Sequence, residues 1–542
     1  MNGADIIAGR LAAAGCRFAF GIPGGEVLAL MEALDHAGLK FILTKHENAA
    51  GFMAEGVWHA QSATEMAAPG ILLATIGPGV ANAVNVVANA LQDRVPLIFL
   101  TGCVDGAEAE TYTHQVFDHQ ALLRPVVKGS FRASQGAIGP MIEKAIALSL
   151  EGQPGPVHVD VPISVAEGVS SEVLDDTPPQ IIRPDAMLAT GPVLQEAKTL
   201  LAQTERPLAI AGVDAVNENA GKDITEFCEY FGIPLITTYK GKGLMDERHP
   251  LCLGGAGLSP KADNVLMPLI AEADLILVLG YDPIEMRIGW RDPWDKKTNA
   301  VEITSMSRSH GMHSVSHELR GGLKPILSQL KEGPSNSLKW ENGAPTAARN
   351  ALKQAFVAET EEFGPGTVFD TLRRVFPENT LATADSGAHR ILASQMWECF
   401  SPRGMIQSSA LCTMGCALPM GIGHMLAAPD RPSLVFVGDA GLEMGLGELA
   451  TLRDLKLPVV VCVLVDASLA LIEMKQRNSQ RPNVGVDFDE TNFPALAMAL
   501  GGHGVWVDNN EDLEREAGEA LQRETFTVLA CRISRRAYDG KF

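Results

Sequence analysis

Residues 432–469, PSLVFVGDAGLEMGLGELATLRDLKLPVVVCVLVDASL, carry the pattern that decides the fold. One apolar run ends just before Asp439, and a second, 459–465, ends just before Asp466. Both runs are rich in Val and Leu without polar alternation, which is typical of strands buried on both faces of a parallel sheet. A helix from about Glu443 connects them. The stretch therefore predicts a β-α-β unit that brings both aspartates to one sheet edge.

The same alternation of buried strand and helix extends along the rest of the chain. Apolar runs of this type occupy 70–76, 96–102, 156–162, 207–213 and 274–280. Polar, Pro-containing stretches at 167–190 and 331–349 interrupt the alternation and predict linkers. We therefore expect an α/β protein with three doubly wound parallel-sheet domains, at 1–168, 186–332 and 350–542.

Composition excludes several classes of protein. The 542 residues suggest three or four domains at about 150 residues each. The net charge of −21 and the lack of a basic stripe argue against nucleic-acid binding. No apolar run reaches the roughly 18 residues of a membrane span, and the first 15 residues predict a soluble helix rather than a signal peptide. Nine sparse cysteines predict reduced core thiols in a cytoplasmic protein.

The two aspartates suggest a cation site. Asp439 and Asp466 would sit at adjacent strand ends, where carboxylate oxygens suit a hard cation. The start of the following helix would lie beside them and could hold phosphate oxygens. Together these features suggest a metal-bridged diphosphate, although two ordinary loop aspartates would give the same pattern.

Two further segments place functional residue types at strand-to-helix junctions. Glu47, in KHENAAGFMAEG (45–56), is either a functional carboxylate or one that only favours a helix start. The segment from Thr75 through Gly77 to Gly79 either brings the backbone close to a ligand or forms a plain tight turn. FGIPGG (20–25) is a similar glycine turn.

One glycine motif matches a nucleotide-binding pattern in the wrong structural context. Residues 445–450, GLGELA, match a dinucleotide-binding pattern, but they lie inside a predicted helix rather than between a strand and a helix. Signatures of serine hydrolases, P-loop nucleotidases, zinc proteases and kinases are lacking from the sequence.

In combination, the motifs resemble those of the thiamine-diphosphate-dependent decarboxylase superfamily, in particular its acetolactate synthase branch. The resemblance rests on GIPGG, HEN, GPG, QPGPVHVDVP, GMIQSSALCTMGCALPMGIG (404–423) and the GDA…D segment, and it covers essentially the whole chain. It implies a pyrimidine-binding domain, a central Rossmann-like domain and a diphosphate-binding domain. It also implies two cofactors, thiamine diphosphate and Mg²⁺.

The resemblance implies a role for each matching residue. Glu47 would hydrogen-bond the aminopyrimidine ring and favour the imino tautomer, acting from the partner subunit of a homodimer or homotetramer. The Mg²⁺ ligands would be the Asp439 and Asp466 side chains and the Ser468 carbonyl. Met414 would hold the cofactor in its bent form. Cofactor contacts are further implied for Gly24, Gly25, Thr75, Gly77, Ser386, Gly387, His389, Thr413, Gly438, Ala440, Gly441, Ala467 and Leu469.

Two residues near the reacting carbonyl complete the implied catalytic set. Gln115 matches a family glutamine. His114 stands where acetolactate synthases usually carry Phe, so it is either a proton donor or a structural residue.

The chain also departs from the biosynthetic synthases. Asp466 and Ala467 replace two residues that are commonly Asn, and Ile472–Gln476 lacks the tryptophan that favours larger acceptors. Tyr281 stands where flavin-binding enzymes usually have Arg, so bound FAD is not expected. The chain is closer to the catabolic, flavin-free branch.

The resemblance therefore predicts decarboxylation of a 2-oxo acid, most simply pyruvate, followed by ligation of the remaining carbon unit to a second carbonyl. Simple decarboxylation with release of an aldehyde is the alternative reaction, which His114 favours. A catalytically inactive binding or regulatory protein is the alternative of another class, against which Glu47, Asp439 and Asp466 argue.

Overall fold

The computed structural model describes residues 1–61, 68–174, 176–181, 187–306, 310–333, 339–359 and 362–542. The chain forms two compact units. The first comprises Met1–Ile182, Gly415–Asp430 and Gly445–Leu457, and the second comprises Arg183–Met414, Arg431–Met444 and Pro458–Phe542. Each of three sheets has six strands, all parallel, so the predicted α/β class is confirmed. The exact domain boundaries remain a prediction.

The first sheet belongs to the first unit. Its strands are β1 (Phe18–Ile22), β2 (Lys40–Leu43), β3 (Gly70–Ala74), β4 (Leu97–Cys103), β5 (Gly129–Arg132) and β6 (Pro156–Pro162). The helices of this part are α1 (Gly3–Ala13), α2 (Leu28–His36), α3 (Glu47–Gln61), α4 (Pro78–Gln92), α5 (Gly106–Ala109), α6 (His119–Leu123), α7 (Ile138–Leu150) and α8 (Ile163–Glu167). Short 3₁₀ turns cover Gly25–Val27 and Arg124–Val126.

The central sheet belongs to the second unit. Its strands are β7 (Pro207–Ala211), β8 (Leu235–Thr238), β9 (Cys252–Ala256), β10 (Leu275–Leu279), β11 (Asn299–Thr304) and β12 (His317–Arg320). Its helices are α9 (Pro192–Gln203), α10 (Val213–Asn217), α11 (Gly221–Phe231), α12 (Pro260–Glu272) and α13 (Leu323–Lys331). Short 3₁₀ turns cover Pro283–Glu285 and Ile288–Trp290.

The third sheet also lies in the second unit. Its strands are β13 (Leu381–Ala384), β14 (Met405–Gln407), β15 (Ser433–Gly438), β16 (Val460–Val465), β17 (His503–Val507) and β18 (Thr527–Arg532). The helices are α14 (Ala344–Ala355), α15 (Pro365–Val375), α16 (Ala388–Met396), α17 (Ala417–Ala427), α18 (Asp439–Gly445), α19 (Glu448–Leu455), α20 (Ala470–Asn478), α21 (Phe493–Ala499) and α22 (Asn510–Ala520). Of these, α17 and α19 belong to the first unit.

Strand order shows where each sheet can bind a ligand. The first sheet has the order β2-β1-β3-β4-β6-β5, and the third repeats that order as β14-β13-β15-β16-β18-β17. The central sheet, β12-β11-β10-β7-β8-β9, has the Rossmann order. Ligands of such sheets bind beyond the carboxyl ends of the strands where the order reverses, which is beside β1 and β3 and beside β13 and β15.

The strands form where the apolar runs predicted them. Every residue of β3, β4, β6, β10 and β16 is buried, because helices cover both faces of each sheet. The predicted N-terminal helix is α1, which Asn2 and Asp5 cap reciprocally. Where α3 crosses α17 within the first unit, a side chain at Gly423 would meet the Met53 carbonyl at 2.1 Å.

Three details differ from the sequence-based expectation. The helix expected from about Glu443 already begins at Asp439. This helix ends at Gly445, so residues 445–450 join two short helices instead of lying inside one. The segment does not connect a strand to a helix, as a dinucleotide-binding loop would. The linker expected at 331–349 is already helical from Ala344, where Pro at the second helical position suits a helix start. Residues 334–338 of that linker, and 175 and 182–186 of the other, lie outside the described residues.

All nine cysteines are free thiols, and eight of them are buried. Cys412 is the exposed one. Their burial agrees with the predicted role as small core residues.

Among the residues described, we find no helix with the length and apolar character needed to cross a membrane.

Candidate active site

The two predicted metal-ligand aspartates lie side by side at the edge of the third sheet. Asp439 follows β15 and Asp466 follows β16, and these strands pair in parallel with Gly438 opposite Leu464. The Asp439 carboxylate accepts hydrogen bonds from the N–H groups of Asp466 (3.0 Å) and Ala467 (2.7 Å) through its Oδ2. The two aspartates are therefore neighbours at one sheet edge, as the sequence of residues 432–469 predicted.

The electrostatics of this pair suit a cation. Burial raises the pKa of Asp439. Burial, together with the neighbouring charge of Asp439, raises the pKa of Asp466 to about 8. Two buried carboxylates that destabilise each other's charge gain most when a cation neutralises both. Oxygen donors of this kind match the preference of Mg²⁺.

A cavity of about 660 Å³ opens beside these aspartates within the second unit. It gathers predicted residues from four separate strand ends and loops. Those that line it are Ser386, Gly387, His389, Met414, Gly438, Asp439, Ala440, Gly441, Asp466, Ser468 and Leu469. Its volume falls in the range of ordinary ligand pockets. Thr413 and Ala467 do not line it, but each is next in the chain to a residue that does.

Polar groups around the cavity have unused hydrogen-bonding capacity. Ser386 Oγ and His389 Nε2 belong to residues that line the cavity, are buried, and have no hydrogen-bond partner within the described chain. Thr413 Oγ1, next in the chain to the cavity-lining Met414, is also buried without such a partner. Burial, reinforced by Arg390, lowers the pKa of His389 to about 3, so its imidazole is neutral. Because buried polar groups are rarely left unpaired, these atoms fit a polar ligand such as a diphosphate.

Ala467 adopts an unfavourable backbone conformation. Its φ is +52°, in the left-handed region that Asn tolerates better than Ala. Its N–H nevertheless has to reach the Asp439 carboxylate, which fixes this turn. The sequence departure from the family Asn therefore carries a conformational cost.

We predict that Ala467→Asn stabilises the protein by roughly 1 kcal/mol, because it removes most of that cost. The measurement is the midpoint of thermal unfolding without ligands. Ala467→Val is the control, since a β-branched residue tolerates this φ even less, and its midpoint should fall. Equal midpoints for the three proteins would show that the turn is not strained.

The remaining predicted residues lie at the edge of the first sheet, within the first unit. Glu47 is the first residue of α3 and is 5% exposed. Its Oε2 accepts a hydrogen bond from Asn82 Nδ2 on α4 at 3.0 Å. A side chain at Gly79 would lie 3.3 Å from Glu47 Oε1, so glycine there leaves the carboxylate accessible from that side.

The glycine turns meet where the strand order of the first sheet reverses. A Cβ atom at Gly24, after β1, would lie 2.1 Å from the Thr75 hydroxyl, after β3. Gly77 has a φ of +71° and precedes α4. A Cβ atom at Gly77 would lie 2.5 Å from the Gln115 carbonyl. Gly25 lies in open space beside Gly24.

The structure does not place His114 in a buried site. His114 and Gln115 are both exposed, and the His114 ring contacts Tyr112 edge-on with centroids 6.4 Å apart. The histidine that touches the Gly77 turn is instead His119, whose Nε2 accepts the Gly77 N–H at 3.3 Å.

Sequence reasoning missed several residues at these sites. Tyr538 and Phe542 line the cavity, but no motif marks them. Arg287 also lines it and lies six residues after Tyr281, the position that bears on flavin binding. His119 lies four residues after Gln115, and the repeat of His-Gln at 114–115 and 119–120 is a signal that could have identified it.

Three family models describe most of the chain. Residues 1–122 match the N-terminal TPP-binding domain of thiamine pyrophosphate enzymes, residues 194–330 match the central domain, and residues 385–531 match the C-terminal TPP-binding domain. The order and positions of these matches agree with the three sheets.

Individual proteins are similar along most of their length. The acetolactate synthase large subunit of Lactococcus lactis is 29% identical over 94% of this chain and 89% of its own length. The acetolactate synthase isozyme 3 large subunit of Escherichia coli is 28% identical over 96% and 92%, respectively. A probable 2-ketoarginine decarboxylase of Pseudomonas aeruginosa is 28% identical over 95% and 90%.

The N-terminal and C-terminal matches contain the predicted site residues of the first and the third sheet. The chain belongs to the thiamine pyrophosphate enzymes, and it is a thiamine-diphosphate-dependent enzyme of the acetolactate synthase type.

Proposed function

We propose that this enzyme decarboxylates a 2-oxo acid, most simply pyruvate, with Mg²⁺ as its metal, and joins the remaining carbon unit to a second carbonyl. The observation that carries the proposal is the cavity, in which two buried carboxylates face unpaired polar groups. When bound, thiamine diphosphate supplies a carbon nucleophile and an electron sink for the loss of CO₂. The residues of the chain bind, orient and shield it.

The diphosphate and the metal would share the edge of the third sheet. Asp439, Asp466 and the Ser468 carbonyl would hold Mg²⁺, and Ser386 and His389 would meet phosphate oxygens. Glycine is needed at Gly387 and Gly441 for close packing, since a Cβ atom would lie 2.6 Å from the His389 ring and 2.2 Å from Asp385 Oδ2, respectively. A neutral His389 avoids placing an additional charge in the site, because its pKa is about 3.

We predict that Asp466→Asn weakens Mg²⁺ binding by about ten- to a hundredfold, because it removes one charge from the metal site while keeping its shape. The measurement is a Mg²⁺ titration of the protein with thiamine diphosphate present. Asp487→Asn is the control for charge, since Asp487 lies one side chain away and bonds the Ser468 hydroxyl at 2.8 Å. Equal Mg²⁺ affinity in Asp466→Asn and the wild type would contradict this assignment.

The cavity also has side chains that suit a small 2-oxo acid. Apolar side chains from α20 line it, including Ile472 and Met474. Two cationic residues, Arg287 and Lys475, also line it, and either could attract a carboxylate. Arg287 keeps an ion pair with Asp263 at 2.5 Å and is 36% exposed, so its guanidinium is partly engaged.

Simple decarboxylation remains the second candidate reaction. The similarity to a probable 2-ketoarginine decarboxylase favours it. It requires a proton donor for the carbon left by CO₂, and His114 was the sequence-based candidate. Because His114 is exposed and contacts Tyr112 edge-on, we favour ligation.

We also propose that the enzyme works without flavin. Tyr281 follows β10, where the order of the central sheet reverses, and it is 1% exposed. Its ring stacks on His313 at 5.4 Å, and Trp294 lies 5.0 Å from the same imidazole. Aromatic side chains therefore pack beside a strand end near which a Rossmann sheet would bind a nucleotide, which supports the proposal.

The proposed assembly is a homodimer or homotetramer in the cytoplasm. By resemblance, Glu47 of one subunit would complete the cofactor site of another. The nine free thiols agree with a reducing compartment.

Incubation with pyruvate, thiamine diphosphate and Mg²⁺, with products identified by mass, tests the proposed reaction. Acetolactate or acetoin is expected. Acetaldehyde alone would establish the simple decarboxylase instead. A panel of other 2-oxo acids in the same assay identifies the donor if pyruvate is not used.

A further inference from the structure

A buried hydrogen-bond network lies beside the Gly77 turn and has no role in the function described so far. It connects β4, β5 and β6 to the start of α6 within the first unit. Its members are Thr101, His119, Gln120, Ser130, His158 and Asp160. Thr101 faces Asp160 and Ser130 faces His158 in the parallel register of these strands. The network is therefore built into the sheet.

The partners in this network determine which atoms carry protons. Asp160 Oδ1 accepts from Thr101 Oγ1 at 2.6 Å and from His119 Nδ1 at 2.8 Å. The Thr101 hydroxyl donates its one proton to the carboxylate, so its oxygen accepts a hydrogen bond from His158 Nε2 at 2.8 Å. His158 Nδ1 then accepts from the Ser130 hydroxyl at 2.8 Å. Each hydrogen bond has one donor and one acceptor with both histidines neutral.

Asp160 stays ionised at the centre of the network. Burial alone would raise the pKa of this carboxyl, but the hydrogen bond from His119, together with the nearby imidazole of His158, lowers it well below its usual range. A carboxylate at Asp160 requires a proton on His119 Nδ1. The lone pair of His119 therefore lies on Nε2, which is the atom that accepts the Gly77 N–H.

The Gly77 turn connects this network to Glu47. Gly77 caps α4, and Asn82 on the first turns of α4 donates the hydrogen bond to Glu47. Gly79 of the same turn leaves the space beside Glu47 Oε1. A shift of the Gly77 amide would move both contacts of the Glu47 carboxylate, because all three belong to one turn and helix.

We propose that His119 and Asp160 form a positioning dyad, in which Asp160 fixes the tautomer of His119 and His119 holds the Gly77 turn so that Glu47 stays aligned on the cofactor. The inference rests on the proposed function. His119 and Asp160 act through the turn and do not touch the reacting atoms, so both are positioning residues.

A metal site is the competing use of these side chains. Ligand atoms of His119, His158 and Asp160 lie within 4.8 Å of one another. A metal ion would have to break the His119–Asp160 and His158–Thr101 hydrogen bonds, in which the same atoms are already engaged. The geometry therefore favours the dyad.

The test uses two amide variants of His119 in the full-length protein loaded with thiamine diphosphate and Mg²⁺. The amide of His119→Gln can place an acceptor near the position of Nε2, whereas the amide of His119→Asn reaches only the position of Nδ1. The readout is the rate of hydrogen–deuterium exchange at C2 of bound thiamine diphosphate, followed by NMR, together with cofactor affinity and melting temperature.

We expect His119→Asn to slow C2 exchange by roughly a hundredfold, because misplacement of a catalytic group by about 1 Å has that effect. Cofactor affinity and melting temperature should change little, and His119→Gln should recover most of the exchange rate. Ser130→Ala removes only the far end of the network, so it should leave the exchange rate unchanged.

Two results would overturn the dyad. One is wild-type exchange in His119→Asn, and the other is a stoichiometric metal ion in the wild type that is lost from His119→Asn. Failure of the wild type itself to exchange C2 would instead refute the proposed function, so the two failures are distinguishable.

Discussion

Replacing Glu47 by Gln will lower kcat by at least about a hundredfold, the scale of a positioned proton-transfer group. Glu47 is buried and keeps one hydrogen bond, from Asn82 at 3.0 Å. Gln has the same size and can still accept that bond. It lacks the negative charge that favours a proton on a ring nitrogen of the cofactor. The loss should therefore appear in kcat, measured at saturating cofactor, with the melting temperature preserved.

Glu55→Gln is the matched control. Glu55 lies two turns further along α3 and is 1% exposed. It accepts a hydrogen bond from the Asn89 amide, as Glu47 does from the Asn82 amide. The same change of charge at that position should leave kcat close to the wild-type value. Full activity in Glu47→Gln would refute the role assigned to Glu47.

Asp439→Asn will abolish the joint binding of Mg²⁺ and thiamine diphosphate. The Asp439 carboxylate accepts three backbone N–H groups, from Ala440, Asp466 and Ala467. An amide group would direct N–H against one of those donors and would remove the charge that the metal needs. The loss should be larger than in Asp466→Asn, because Asp439 also orders the turn that carries the other ligands.

Thermal unfolding with and without cofactors measures this loss. A ligand at a hundred times its Kd stabilises the folded protein by about 2.7 kcal/mol, so the wild-type midpoint should rise when both cofactors are added. The midpoint of Asp439→Asn should not move. Glu490→Gln removes one negative charge from an exposed ion pair with Arg532 in the same unit, and it should respond like the wild type. A cofactor-induced shift in Asp439→Asn equal to the wild type would contradict the metal assignment.

The strands and their functional edges could be predicted from the sequence, because buried parallel strands leave a long apolar signal. Runs such as 459–465 carry that signal in every residue, and Asp439 and Asp466 then follow from the geometry of a parallel sheet. Helix limits were less predictable. α18 begins four residues before the expected start and ends at Gly445. Glycines and tertiary contacts, rather than the apolar pattern, determine where such helices begin and end.

The inner network of the first unit could not be predicted from local pattern. His158 and Asp160 appear in the sequence as part of an apolar strand, PVHVDVP, and His119 belongs to a polar loop. Their connection depends on which residues face each other across β4, β5 and β6. The order of strands in a parallel sheet cannot be read from the local spacing of residues in the sequence. The same reason explains why the local motif marks His114 rather than His119.

Release of CO₂ from carboxyl-labelled pyruvate, with and without thiamine diphosphate and Mg²⁺, tests the central claim most directly. We predict rapid release by the wild type with both cofactors, and almost none when either cofactor is omitted or in Glu47→Gln. Release that does not depend on thiamine diphosphate, or no release from pyruvate and from every other 2-oxo acid of the panel, would contradict the account.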